Sequence, residues 1–375
     1  MDLKEQIQRL ANPYLLELVP YEPGRPIEEV ARELGLTPTQ IIKLASNENP
    51  LGPSPKALAA IKSVLPQIHR YPDGSGYRLI RKLSDHLQVE SRHIVLGNGS
   101  NEIIELLFHT FVRPGVHEIL ISRYSFLVYR LMAQLFGVRF RIVEEENFVV
   151  RPRAFLQAVG PATRLIFLAN PNNPTGTRVP TAELEELVSG VPDHVIVVVD
   201  EAYYEFLEDP PPSIRWVLEG KSLVLLRTFS KAHGLAGLRI GYGIAPVPIC
   251  ELLQRARQPF NVNMLAQVAA EAALEDREHI QRTRDIVRTG LRDLQASLAK
   301  LGLSYVPSSA NFLLIKVGQG TEVFRRLLPL GIIVRSMESY GLPEWIRVSI
   351  GLPEEMKRFV EALTGLVQNG LSPLE

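Results

Sequence analysis

Between about residues 90 and 245, short apolar runs alternate with turns and helical stretches. The runs occupy 93–96, 118–122, 140–144, 164–170, 194–200, 222–228 and 239–245. Most are apolar throughout instead of alternating, which predicts strands covered by helices on both faces. Helical periodicity separates several of them. Ile103, Ile104, Leu107, Phe108 and Phe111 fall on one stripe that ends at Pro114-Gly115. Thr181 opens a second amphipathic stretch, with Leu184, Leu187 and Val188 on its apolar side. The pattern predicts an α/β domain with a mostly parallel sheet of seven strands.

After Asn261 the texture changes. Residues 263–301 read as helical, and then apolar runs at 311–317, 331–336 and 345–351 interleave with helical patterns at 321–328 and 354–368. That predicts a smaller α+β unit. The expected organisation is an N-terminal arm over 1–45, a large domain over 46–262 and a small domain over 263–375. No repeat of about 20–50 residues recurs, which argues against a solenoid or propeller.

Composition narrows the chemistry. The 375 residues carry 41 Lys+Arg against 41 Asp+Glu, so there is no long-range attraction for nucleic acid or an anionic membrane. A hydrophobic fraction of 46% rules out wholesale disorder. Cys250 is the one cysteine, leaving no internal disulfide and no Cys-based zinc site. The eight histidines are scattered without a close ligand pair, so no metal is expected. The N-terminus lacks the apolar run of a secretory signal and no apolar stretch reaches a membrane span; the expectation is a cytoplasmic protein.

Open α/β sheets place ligands at the carboxyl ends of their strands. Here those ends carry a distinctive set. Gly97-Asn98-Gly99-Ser100-Asn101-Glu102 opens a helix, whose first N–H groups favour an anion. Alone, this is equally an ordinary helix cap, and Glu102 argues against a dinucleotide fingerprint. The strand over 164–170 delivers Asn170-Pro171-Asn172-Asn173-Pro174, by itself a strong turn sequence. The next strand ends in Asp200-Glu201-Ala202-Tyr203, and the one after it in Thr228-Phe229-Ser230-Lys231, with Arg239 eight positions on. A lysine can form a Schiff base with an aldehyde, and an Asp can hold a pyridine nitrogen protonated. Asn and Tyr can donate to a phenolate oxygen, while a helix N-terminus, a Ser and an Arg neutralise a phosphate. Those partners together match the functional groups of pyridoxal 5'-phosphate.

The chain resembles fold-type I pyridoxal-phosphate-dependent aminotransferases of the aspartate aminotransferase superfamily, and within it most of all the histidinol-phosphate aminotransferases. The resemblance rests on PYEPGRPIEEVARELG (20–35), KLASNENPLGPSP (43–55), RYPDGSGYRLI (70–80), GNGSNEIIELL (97–107), NPNNPTG (170–176), DEAYYEF (200–206), TFSKAHGLAGLRIGY (228–242), ANFLL (310–314) and WIRVSIG (345–351). It implies that Lys231 binds the cofactor aldehyde and later moves the substrate's Cα proton. It also implies that Asp200 partners the ring nitrogen, and that Asn173 and Tyr203 donate to the 3-oxygen. Gly99, Ser100, Asn101, Ser230 and Arg239 match the phosphate cup. Phe126 matches the aromatic that stacks on the ring, and is otherwise a core phenylalanine. Tyr71 matches a tyrosine that reaches the other subunit's cofactor phosphate, implying a homodimer with shared sites.

For substrate, Arg347 interrupts an otherwise apolar strand, where an uncompensated cation is costly and a bidentate anion contact is natural. Arg335, Tyr21 and Asn311 are further expected substrate contacts; Arg335 also reads as a surface strand residue and Asn311 as a strand cap. The implied reaction is transamination between L-histidinol phosphate and 2-oxoglutarate. An aromatic amino-acid aminotransferase or a threonine-phosphate decarboxylase remains as an alternative. Asn101, Phe126, His233 and Ser336 depart from the family's usual residues and leave pocket polarity open.

Overall fold

A computed structural model describes residues 2–20 and 24–368. A short strand, β1 (Ile42–Lys43), precedes the strands of the main sheet. These are β2 (Ile94–Gly97), β3 (Glu118–Ser122), β4 (Arg139–Val143), β5 (Thr163–Ala169), β6 (Ile196–Asp200), β7 (Leu223–Thr228) and β8 (Gly241–Ile244). Their spatial order is β2-β8-β7-β6-β5-β3-β4. All neighbours run parallel except around β8, which is antiparallel to both β2 and β7. The expected mostly parallel sheet is borne out.

The continuous apolar runs arise because successive residues feed two different cores. Ile166, Leu168, Val197, Val199 and Leu225 enter one layer, while Leu165, Phe167, Val198, Val224 and Leu226 enter the other. Both layers are closed by helices, Tyr77–Leu87 and Thr181–Gly190 on the first side, Ser100–Phe111 and Leu127–Leu135 on the second. At the edge, β4 turns Arg139 and Arg141 outward, which limits pairing with another sheet.

The second unit contains β9 (Tyr305–Val306), β10 (Phe312–Lys316), β11 (Ile332–Ile333), β12 (Arg335–Ser336) and β13 (Trp345–Ser349). Four of them form an antiparallel sheet in the order β12-β13-β10-β9. The run read as one strand over 331–336 is split, because β11 leaves that sheet and pairs in parallel with β1. Ile42 and Leu44 thereby enter the same core as Val287, Leu298, Ile315, Ile346 and Phe359.

The helix Met264–Ala273 packs against the main sheet. Its buried Ala266, Ala269, Ala270 and Ala273 pack in the first unit's core together with Ala57 of the helix Pro55–Val64. Small side chains on both helices let their backbones approach closely, and that contact holds the segment to the main sheet. Among the described residues no helix is long and apolar enough to cross a membrane.

Candidate active site

In the strand order, β3 and β5 are neighbours whose onward connections go opposite ways, β3 toward β4 and β5 toward β6. Such a reversal opens a crevice beyond the strand ends. A cavity of about 210 Å³ lies there, lined among others by Ser100, Asn101, Phe126, Asn173, Asp200, Tyr203, Ser230, Lys231 and Arg239. Residues from five separate stretches of sequence thus meet in one place.

Asp200 closes β6 and is 5% exposed. Tyr129 donates its hydroxyl to Asp200 Oδ2 at 2.8 Å, and the Ala202 N–H donates to Oδ1 at 3.0 Å. Burial nevertheless pushes the carboxyl up to about 6, because those hydrogen bonds offset only part of the lost hydration. Tyr129 is fully buried and lies three residues beyond Phe126, so one helical turn presents both to the same site. Sequence reading took Phe126 and passed over Tyr129; the three-residue spacing was the available signal.

Lys231 Nζ donates to the Ser46 carbonyl at 3.0 Å. Burial first, then the nearby Arg347, pulls its ammonium down to about 8. A substantial neutral fraction near neutral pH is what a nucleophilic or proton-accepting amine requires.

Gly99 has a φ of +76°, and a Cβ there would stand 2.5 Å from Arg239 Nη2. Only glycine lets the guanidinium lie against the N-terminus of the helix Ser100–Phe111. Arg239 is itself held by donation to the Ala236 carbonyl at 3.0 Å and to Ser230 Oγ at 3.4 Å. One end of the cavity therefore collects a guanidinium, two serines and a helix N-terminus.

Tyr203, also on the cavity wall, accepts from Asn47 Nδ2 at 2.9 Å, and burial drives its phenol well above the ordinary range. Arg347 is 6% exposed and donates to Asn173 Oδ1 and, at 2.8 Å, to the Ala45 carbonyl. The Asn173 amide thus has its oxygen engaged and its Nδ2 left as the donor. Arg347 Nε is buried without a partner.

Three expected residues lie elsewhere. Asn311 is fully buried and gives its amide to the Asn47 carbonyl at 3.0 Å, so it braces the main chain and does not line the cavity. Arg335 pairs across the sheet with Arg347 but lines a separate cavity of about 640 Å³ with Arg25 and Arg130. Tyr71 is 80% exposed, its ring stacked on Phe260 at 4.7 Å. Tyr21 lies outside the described residues.

The family described as aminotransferase class I and II matches residues 39–363. The chain belongs to that family. Among curated relatives of this aminotransferase, the histidinol-phosphate aminotransferase of Akkermansia muciniphila is 49% identical over 358 residues, spanning 95% of this chain and 98% of its own. Histidinol-phosphate aminotransferase 2 of Pseudomonas fluorescens Pf0-1 is 45% identical over 364 residues, spanning 96% of this chain and 98% of its own. The solved histidinol-phosphate aminotransferase of Sinorhizobium meliloti, in complex with pyridoxal-5'-phosphate, superposes with a TM-score of 0.87 at 26% identity. That match covers 96% of this aminotransferase and 98% of the solved chain. The expected family and fold are borne out together.

Proposed function

We propose that the protein is a pyridoxal-phosphate-dependent transaminase that converts L-histidinol phosphate and 2-oxoglutarate to imidazole-acetol phosphate and L-glutamate, a step of histidine biosynthesis. The observation that carries the reading is the convergence of Lys231 and Asp200 on one cavity whose far end holds Arg239, Ser100 and Ser230. Lysine, carboxylate and anion cup are spaced within a single small cavity, and the donor set fits the aldehyde, ring nitrogen and phosphate of that cofactor. The relatives' names support the choice of substrate over the aromatic amino-acid and threonine-phosphate alternatives.

When bound, the cofactor supplies an aldehyde for the lysine and a ring that accepts the electron pair released at the substrate Cα. The chain's own groups do the rest. Arg239, Ser100, Asn101 and Ser230 hold the phosphate, with the helix N-terminus adding N–H donors. Asp200, steadied by Tyr129, would partner the ring nitrogen and favour its protonated form. Phe126, on the cavity wall, would stack on the ring. Lys231, its ammonium pulled down to about 8, would take the proton from the substrate Cα and deliver it to the former aldehyde carbon on the other side of the amine nitrogen. Arg347 receives the anionic end of each substrate, a phosphomonoester in one half-reaction and a carboxylate in the other, since a guanidinium fork accepts both.

Substrate profiling of the cofactor-loaded protein tests the assignment. The expected result is a kcat/KM for histidinol phosphate well above that for phenylalanine, with no CO₂ released from threonine phosphate. A preference for phenylalanine would replace the substrate and leave the chemistry in place. Absence of any absorbance band retained by the protein once free pyridoxal phosphate is removed would rule out the cofactor itself.

The same reading extends to a homodimer, with Tyr71 completing the partner's phosphate cup. Support comes from Tyr71 and Phe260, which present a stacked, exposed aromatic pair that does not line the chain's own cavity. Sedimentation at working concentration should give twice the 42.0 kDa chain mass, and a monomer would contradict shared sites.

A further inference from the structure

Asn47 stands where the N-terminal segment crosses between the two units, at a φ of +55° and 1% exposed. Its preceding carbonyl, Ser46 O, holds Lys231, and its own side chain reaches Tyr203. One left-handed turn therefore touches both side chains that face the reacting end of the cavity.

The hydrogen bonds around Asn47 can be given a direction at every link. The Asn47 backbone N–H donates to Ser349 Oγ at 2.8 Å. With that lone pair used, the Ser349 hydroxyl proton goes to Asn47 Oδ1 at 3.0 Å. The amide oxygen is thereby identified, and Nδ2 is the atom that meets the Tyr203 hydroxyl. An amide nitrogen only donates, so the Tyr203 oxygen accepts there and its proton must point away from Asn47. Tyr203 lines the cavity, and that is the remaining direction.

We infer that Asn47, oriented by Ser349, is a positioning residue that makes Tyr203 a hydrogen-bond donor to the ring oxygen of the bound cofactor. The inference rests on the cofactor reading proposed above. It also ties the small unit to the chemistry, since Ser349 belongs to β13 and Tyr203 follows β6. The charged or titratable groups around the Tyr203 hydroxyl are Arg347, Asp200 and Tyr340, with Lys231 Nζ 5.8 Å from its ring centre.

The test is the pH at which the visible band of the bound cofactor changes. A donor to the ring oxygen draws off negative charge; without it the oxygen holds the neighbouring proton more tightly and the midpoint rises. Tyr203→Phe is expected to raise the midpoint by about one pH unit. Asn47→Gly, which keeps the positive φ while removing the amide, should raise it in the same direction. The double variant should sit no higher than Tyr203→Phe alone, because Asn47 acts through that hydroxyl. Ser349→Ala should reproduce a part of the shift, and Ser349→Thr, which retains the hydroxyl, should not.

An unchanged midpoint in Asn47→Gly, or shifts that add in the double variant, would overturn the inference. Should Asn47→Gly fail to fold, the Ser349 pair carries the same comparison. If the unaltered protein shows no band with pyridoxal phosphate, the cofactor reading fails first, and the inference goes with it.

Discussion

Lys231→Ala is expected to lower steady-state transamination by more than about 10⁴-fold, because one amine both captures the cofactor and moves the proton. No neighbour can replace it. Within the cavity, the other nitrogen groups are the guanidinium of Arg239 and the amides of Asn101 and Asn173, neither of which is an amine that condenses with an aldehyde. The variant should still fold, since Lys231 Nζ makes a single hydrogen bond to the Ser46 carbonyl. The check is turnover of histidinol phosphate with 2-oxoglutarate, run beside an absorbance titration with pyridoxal phosphate. Turnover near that of the unaltered protein would take the proton transfer away from Lys231.

Arg227→Ala should cost stability, by about 3–5 kcal/mol. Arg227 lies in β7, 3% exposed, with its Nε 2.8 Å from Glu201 Oε2 and its guanidinium 3.6 Å from the centre of the Tyr204 ring. Glu201 is 1% exposed, and its other oxygen accepts from Ser213 Oγ at 2.5 Å. Removing the arginine strands a carboxylate in the interior, where hydration cannot reach it. A protein of ordinary stability, about 5–15 kcal/mol, would lose a large part of its margin. Replacing both partners with uncharged groups, Arg227→Met with Glu201→Gln, should recover much of the loss, since no unpaired charge remains. Denaturant midpoints of the three proteins decide it, and a single variant within about 1 kcal/mol of the unaltered protein would show that the pair is dispensable.

The two residues also mark where sequence reading works and where it stops. Lys231, Asp200 and Arg239 could be picked out because each ends or follows an apolar strand, and strand ends of one parallel sheet share an edge. Their order along the chain sufficed. Arg227 stands four residues before Lys231, inside the strand itself, and drew no notice, because its importance depends on Glu201 just past the end of the neighbouring strand.

Longer separations hid more. Tyr129 meets Asp200 across 71 positions, Asn47 meets Tyr203 across 156, and Ser349 meets Asn47 across 302. Each of the three was visible as a residue, and Asn47 even lay inside a recognised motif. What no local pattern contains is the identity of the partner. Asn311 shows the same: its amide N–H goes to the main chain of Asn47, a partner 264 positions away.

Hydrophobic periodicity by itself determined the α/β class, the parallel strands and the edge on which the chemistry gathers, because burial on one or both faces is a local property of consecutive residues. Tertiary structure alone decided that the alanine helix Met264–Ala273 joins the first unit, that Arg335 and Tyr71 stand outside the cavity, and which way the hydroxyl of Tyr203 points. Those outcomes depend on which distant segments end up side by side, and hydrogen-bond direction exists only once both partners are in place.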